Sequence, residues 1–215
     1  MTQAKLTTPA PAAHPPAGRV APEAGRALVE VLLSRQSHRQ LTEPAPRDHE
    51  LGLILDAALR APDHGRVRPW RFALIRDEAR AELAELLTEL AVAREPGLSP
   101  DQREARGRAA WAAPLIIAVA AAIRHLHGVP EIEQMLSTGA AAMNMLNAIH
   151  ALGYGGFWIT GADSYDPNLA AALDFEPQDR LLGFLMVGTP VSAAAPPARP
   201  PRAHHVREWL GRTAI

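Results

Sequence analysis

The sequence predicts an α+β fold, and three observations lead there. Apolar runs of helical period and of strand period both occur along the chain. They do not follow one another in the regular strand–helix–strand alternation of a doubly wound sheet. The prolines, 20 in 215 residues, gather at the two ends, five by Pro22 and five from Pro190 to Pro201. Proline fixes φ and removes a backbone donor, so those ends are neither helix nor central strand. The expected organisation is a flexible Pro/Ala-rich leader over 1–21, one ordered domain over 22–190, and a Pro-rich arm over 191–215. A chain of this size buries roughly 70% of its unfolded surface, enough for a core without staples.

The elements follow in order. A first helix is expected from about Pro22 to Ser34, with Pro22 at a first-turn position and Leu28, Val31 and Leu32 as an i, i+3, i+4 stripe. Ser34-Arg35-Gln36-Ser37-His38-Arg39 is a polar basic turn, and Glu43-Pro44-Ala45-Pro46 is extended. Asp48 can cap a second helix whose Leu51, Ile54, Leu55 and Leu59 form one apolar face, ending at Arg60-Ala61-Pro62-Asp63-His64-Gly65. Trp70 to Ile75 reads as a strand, Glu78 to Arg94 as a charged amphipathic helix, and Asp101 to Arg108 as a short polar one. Pro114 to Ala122 is almost unbroken apolar sequence and reads as a strand buried on both faces. Pro130 to Leu152 is the longest helix, stopped by Gly153-Tyr154-Gly155-Gly156. A short strand near Phe157 to Thr160, a small helix after Pro167 and a last strand from Leu181 to Gly188 complete the domain.

Composition narrows the function. With 47% hydrophobic and 21% charged residues the middle is not disordered. A net charge of -1 gives no nucleic-acid footprint. Zero cysteine excludes disulfides, thiolate metal sites and cysteine nucleophiles, and fits a reducing cytoplasm. The N-terminus lacks the apolar stretch of a secretory signal. The run from Ala112 to Ile123 is too short to span a bilayer, so a soluble cytoplasmic protein is expected.

Four groups of residues carry candidate chemistry. Arg35, Ser37 and Arg39 can converge on one phosphate, because guanidinium offers a planar donor fork, and Gln36 can add an amide donor. A solvated basic turn is the alternative. Arg60 and His64 either complement a helix C-terminus or add donors to the same anion. The helix exit, from Gly153 to Gly161 through Phe157 and Trp158, would let main-chain atoms lie against a flat ring. In the C-terminal arm, Arg199 or Arg202 can close an anion site, whereas His204-His205 has no carboxylate at ligand spacing and suggests no metal. No Ser-His-Asp set, H-E-x-x-H motif or phosphate-binding G-x-x-x-x-G-K-[ST] loop occurs. Anion clamps without a nucleophile or acid pair suggest that a cofactor does the chemistry.

Taken together, these segments resemble the nitroreductase family of flavoproteins, in its minimal NAD(P)H nitroreductase-like branch. The resemblance is carried by Arg35-Gln36-Ser37-His38-Arg39 for the family's R-R-S-x-R turn, Leu41 to Pro46, Arg60 to His64 with Pro69-Trp70, Ala113 to Ile117, Gly155-Gly156-Phe157-Trp158, and Gly183 to Pro190. It implies a central mixed or antiparallel sheet flanked by helices, a long dimer-interface helix, and a homodimer with one FMN per site. It assigns FMN contacts to Arg35, Gln36, Ser37, Arg39, Arg60, His64, Trp158, Ile159, Thr160 and Arg199. The nicotinamide cofactor is assigned to Ala148, Ile149, His150, Ala151, Leu152 and Gly153. The implied reaction takes hydride from NAD(P)H and passes it to electron-poor acceptors such as nitroaromatics or quinones. The same scaffold also serves dehalogenation, desaturation and flavin breakdown, and can bind flavin without turnover. Gln36 replaces the usual second arginine and removes one charge from the phosphate shell.

Overall fold

A computed structural model describes residues 21–126, 128–192 and 197–211. All but one of the expected leader residues lie outside that range. The helices are α1 (Pro22–Ser34), α2 (Asp48–Ala58), α3 (Ala79–Arg94), α4 (Pro100–Gly107), α5 (Glu131–Ala151) and α6 (Pro167–Ala172). The strands are β1 (Leu41–Thr42), β2 (Trp70–Arg76), β3 (Leu115–Ala121), β4 (Gly155–Ile159) and β5 (Arg180–Pro190). All pairings are antiparallel, in the order β1-β5-β3-β2 with β4 also on β5. The α+β expectation holds, and the sheet is antiparallel throughout rather than mixed.

β3 is central, and every one of its residues is buried. Side chains alternate across a strand, so Leu115, Ile117 and Val119 pack with α2 and α5, against Ile54, Met145 and Ile149. Ile116, Ala118 and Ala120 pack on the other face with Leu83, Leu87 and Leu169 of α3 and α6. Each large aliphatic side chain buried there contributes about 1.5–3 kcal/mol. Two layers of helix thus cover one sheet, which is why the unbroken apolar run is a strand.

Three local expectations change. Asp48 does not cap α2: Arg47 stands at the N-cap without a side-chain capping bond, and Asp48 is the first residue of the helix, its φ of 45° in the left-handed region. Leu59 leaves the apolar face of α2 and is exposed. The stripe on α1 is not buried, since Leu28 and Leu32 are exposed and no residue of that helix is fully covered. By contrast α4 starts with a full capping box, Ser99 with Gln102, one residue before the expected start.

Candidate functional site

The basic turn after α1 is seated on β4. His38 N–H donates to Gly156 O at 3.3 Å, and Leu41–Thr42 pairs with Pro190 and Thr189 at the end of β5. Gly155 and Gly156 make this seat. A Cβ on Gly155 would lie 2.7 Å from Pro190 Cγ and 2.8 Å from Leu41 Cδ2, and one on Gly156 would lie 3.2 Å from Met186 O. Both glycines are buried. They make room for the protein's own packing against β1 and β5.

Two guanidiniums meet at the turn. Arg199, from the C-terminal arm, donates to Arg35 O at 3.3 Å across 164 positions. Burial, and then the charge of Arg199, hold the Arg35 guanidinium below its ordinary pKa. Neither arginine has a carboxylate partner among the described residues. Arg39 extends along the same edge, its guanidinium 5.9 Å from the centre of the Phe157 ring. Gln36 is half-buried within the turn and Ser37 is exposed.

The far end of β4 is set by a bulge in β5. Register slips so that Val119 faces Gly183 while Ala120 faces Leu181. The displaced Leu182 O accepts from Trp158 Nε1 at 2.9 Å. Gly183 has φ 117°, and a Cβ there would stand 2.3 Å from Ile159 O and 2.8 Å from Trp158 Nε1. A glycine is therefore required for the indole to reach the bulge. Trp158 is pinned at its edge while 36% of it stays exposed. Ile159 and Thr160 line a narrow cavity with Phe184, Met186 and Leu87. Beyond them Arg94 of α3 pairs with Asp163 and, at 3.1 Å, with Asp166, fixing the loop that follows.

Arg60 and His64 do not join the turn in the same way. Arg60 lines a groove of about 300 Å³ with Leu28, Leu32, Asn144, Ala148 and Ala151. His64 Nδ1 lies 2.5 Å from Glu133 Oε2 in the first turn of α5. The Arg35 turn meets the other end of that helix, where Ser34 Oγ lies 2.8 Å from His150 Nε2. Glu133 and His150 are about 25 Å apart along the axis at 1.5 Å per residue. Within one chain, His64 and Arg35 cannot touch one small anion.

The 148–153 segment does not form one ligand-facing surface. Ile149 is fully buried in the core with Ile54 and Met145, His150 turns to Ser34, and Gly153 ends the helix with φ 85°. Ala148 and Ala151 line the groove shared with Arg60, and Leu152 packs on the core. The sequence missed three contacts: Ser34 with His150, Tyr154 OH donating to Glu50 at 2.6 Å, and Arg94 with its two aspartates. Each joins residues far apart in sequence, and no local pattern marks them. Among the described residues no group of histidines and carboxylates is arranged to hold a metal. Among the described residues no helix is long and apolar enough to cross a membrane.

The donor set fits a phosphorylated flat ring. Arg35 and Arg199 bring two cations together, a pairing that suits a phosphate, and the partly exposed Trp158 and Ile159 lie on β4 with Thr160 just after it. Comparisons with known proteins point the same way. The family model described as "Nitroreductase family" matches residues 32–189. A protein of Escherichia coli (strain K12) named "Putative NAD(P)H nitroreductase YdjA" is 40% identical over 162 residues, covering 75% of this chain and 87% of the relative. A nitroreductase-like family protein from Bacillus cereus superposes with a TM-score of 0.72 at 23% identity, over 86% of this chain and 96% of that one. A protein from Desulfovibrio desulfuricans described as "a putative nitroreductase in complex with fmn" gives a TM-score of 0.64 at 25% identity, over 86% of this chain and 98% of that one.

Proposed function

Because this chain belongs to the nitroreductase family, we propose that it is an FMN-dependent oxidoreductase that takes hydride from NAD(P)H and passes it to electron-poor acceptors. Nitroaromatics and quinones are the acceptor class, used in a ping-pong cycle. One observation carries the reading: Arg199 returns across 164 positions to the Arg35 turn, and neither cation has a carboxylate partner among the described residues. FMN, when bound, supplies the centre that accepts and returns hydride. Arg35, Arg199, Ser37 and Gln36 hold the phosphate. Trp158, Ile159 and Thr160 flank the ring, with the indole fixed by Leu182 O. Arg39 supplies positive charge that favours an electron-rich ring.

The site belongs to a homodimer. His64 lies about 25 Å along α5 from the Arg35 turn, so His64 of one copy serves the turn of the other, while Arg60 lines the groove beside Leu32 and Ala148. The uncovered apolar residues Leu28, Leu32, Leu33, Leu136 and Met143 on α1 and α5 support that pairing. The arm beyond Pro190 crosses toward the partner, where the exposed Trp209 finds cover. The domain therefore spans 22–190, with a leader before it and the arm behind. Placement in the cytoplasm accords with the absence of cysteine.

Steady-state rates with NADPH or NADH varied against a quinone or nitroaromatic test the reading. Parallel double-reciprocal lines are expected. Intersecting lines would contradict the ping-pong cycle, and no turnover in a flavin-loaded preparation would leave a flavin binder.

A further inference from the structure

Arg35 and Arg199 serve one phosphate, and a dinucleotide hydride donor brings others. The segment 148–153 carries no arginine or lysine to meet them, and its His150 is turned to Ser34. A second cationic site lies at the other end of α5, around His64. There the chain from Asp63 to Pro69 runs beside the chain from Ala122 to Val129. Ala122 N–H donates to Pro69 O at 2.6 Å, and a Cβ on Gly65 would lie 3.1 Å from Val129 Cγ2. Arg66 and Arg68 stand between those two contacts on one segment, and Arg124 on the other. All three are exposed. Their backbones are nonetheless fixed. Asp63 Oδ2 accepts from Arg68 N–H at 2.8 Å, and Arg71 Nη1 donates to Arg68 O at 3.0 Å. The buried Gln134 grips Arg124 twice, its Oε1 accepting from Arg124 N–H at 2.9 Å and its Nε2 donating to Arg124 O at 2.8 Å. Arg66 and Arg68 have φ of 54° and 51°, in the left-handed region that bulky residues seldom adopt. The acidic neighbours are already engaged: Glu133 with His64, Glu131 with Arg180, and Asp63 with the Arg68 backbone. Among the described residues no carboxylate lies within ion-pair distance of Arg66, Arg68 or Arg124.

We propose that Arg66, Arg68 and Arg124 form the site that recognises the 2′-phosphate of NADPH, and so make NADPH the preferred hydride donor over NADH. The proposal rests on the flavin reading above, in which His64 of one copy serves the flavin of the other. Arg66 and Arg68 follow His64 by two and four residues. Four residues span at most about 14 Å of chain, within the length of a dinucleotide whose ring end meets the flavin. A phosphomonoester is close to a dianion above about pH 6, whereas each phosphate of the pyrophosphate bridge carries a single charge. Three guanidiniums without a carboxylate suit the dianion, because each presents a planar fork of donors to its oxygens. The bridge is common to both nicotinamide cofactors and gives no discrimination. Only the 2′-phosphate differs, so cations that meet it set a difference of affinities between the two donors.

The test is calorimetry on the FMN-loaded protein with adenosine 2′,5′-bisphosphate and with 5′-AMP, at about pH 7.5 where the monoesters are ionised. The bisphosphate is expected to bind about tenfold tighter, and the gap to narrow as salt is raised. In steady-state kinetics, kcat/KM is expected to favour NADPH over NADH by a similar factor, carried mainly in KM. R66N and R68N remove charge while keeping a residue that tolerates the left-handed region. Each is expected to lower kcat/KM for NADPH roughly tenfold and to lower that for NADH far less. R124Q, at a position without a positive φ, is expected to do the same. Equal binding of the two nucleotides by the wild-type protein would overturn the proposal. So would variants that weaken NADPH and NADH alike, which would place the arginines at the shared bridge. A preference lost in R202N but kept in R66N and R68N would move the site to the C-terminal arm and overturn it too. The nucleotide comparison needs no variant, so a misfolded R66N or R68N does not block the test. Turnover that treats NADPH and NADH equally sinks this proposal alone, whereas a protein that takes up no FMN sinks the flavin reading with it.

Discussion

Beside α3 and α4, arginines find carboxylates within the chain: Arg94 holds Asp163 and Asp166, Arg106 reaches Glu95, and Arg108 reaches Glu104. At the turn after α1 they find other cations instead. Burial is the larger cost to the Arg35 charge, and Arg199 beside it adds to that cost. Internal pairs fasten one element to another and cost the fold nothing further. Concentrated like charge is a local penalty that an external anion relieves. Fastening and waiting are thus separable roles for the same side chain, and substitutions distinguish them.

The largest effect is expected at Arg35. Arg35→Ala removes a charge-assisted contact to phosphate worth about 1.5–3 kcal/mol, so FMN affinity falls roughly 10- to 100-fold. The same change relieves repulsion with Arg199, so thermal unfolding of the apo-protein stays put or rises slightly. A variant that loses stability but keeps its flavin would show that Arg35 is a fastener. Next is Arg39→Ala, expected to lower the flavin reduction potential by about 20 mV for a charge contribution near 1 kcal/mol, and to slow hydride uptake. An unchanged potential would mean the guanidinium only rests on Phe157. Arg94→Ala should give the reverse pattern, a loss of about 1 kcal/mol in urea unfolding, because its pairs are about one-third exposed. That loss shrinks in high salt, with FMN affinity little changed. The smallest effect is at Arg108, whose exposed i, i+4 pair with Glu104 contributes about 0.3–0.5 kcal/mol.

The difference between these regions also marks how far the sequence can be read. Helices and strands were legible to within one or two residues because apolar period is local, as at β3 and α5. β1 was not, since two residues carry no period and the strand exists only because β5 runs past it. The apolar stripe on α1 is a stripe as expected, but no described residue of the chain buries it. Gly155 and Gly156 were visible as a departure from pattern, yet sequence does not say whether protein or ligand fills the space a Cβ would occupy. That the side chains of 148–153 face several ways was legible from sequence alone. Successive helical residues turn by about 100°, so Ile149 and His150 had to face different ways. The arginine pairings were not legible in that way. What separates Arg94 from Arg35 is the presence of Asp163 and Asp166 at the other end of a tertiary contact.

The central claim is that two copies of this chain hold FMN between a cationic turn of one and His64 of the other. Sedimentation velocity of the FMN-loaded protein, followed at a flavin absorption wavelength, tests both halves together. The account predicts flavin absorbance moving with a particle of two 23.1 kDa chains. Flavin that stays behind as free solute, or that sediments with a single chain, would contradict it.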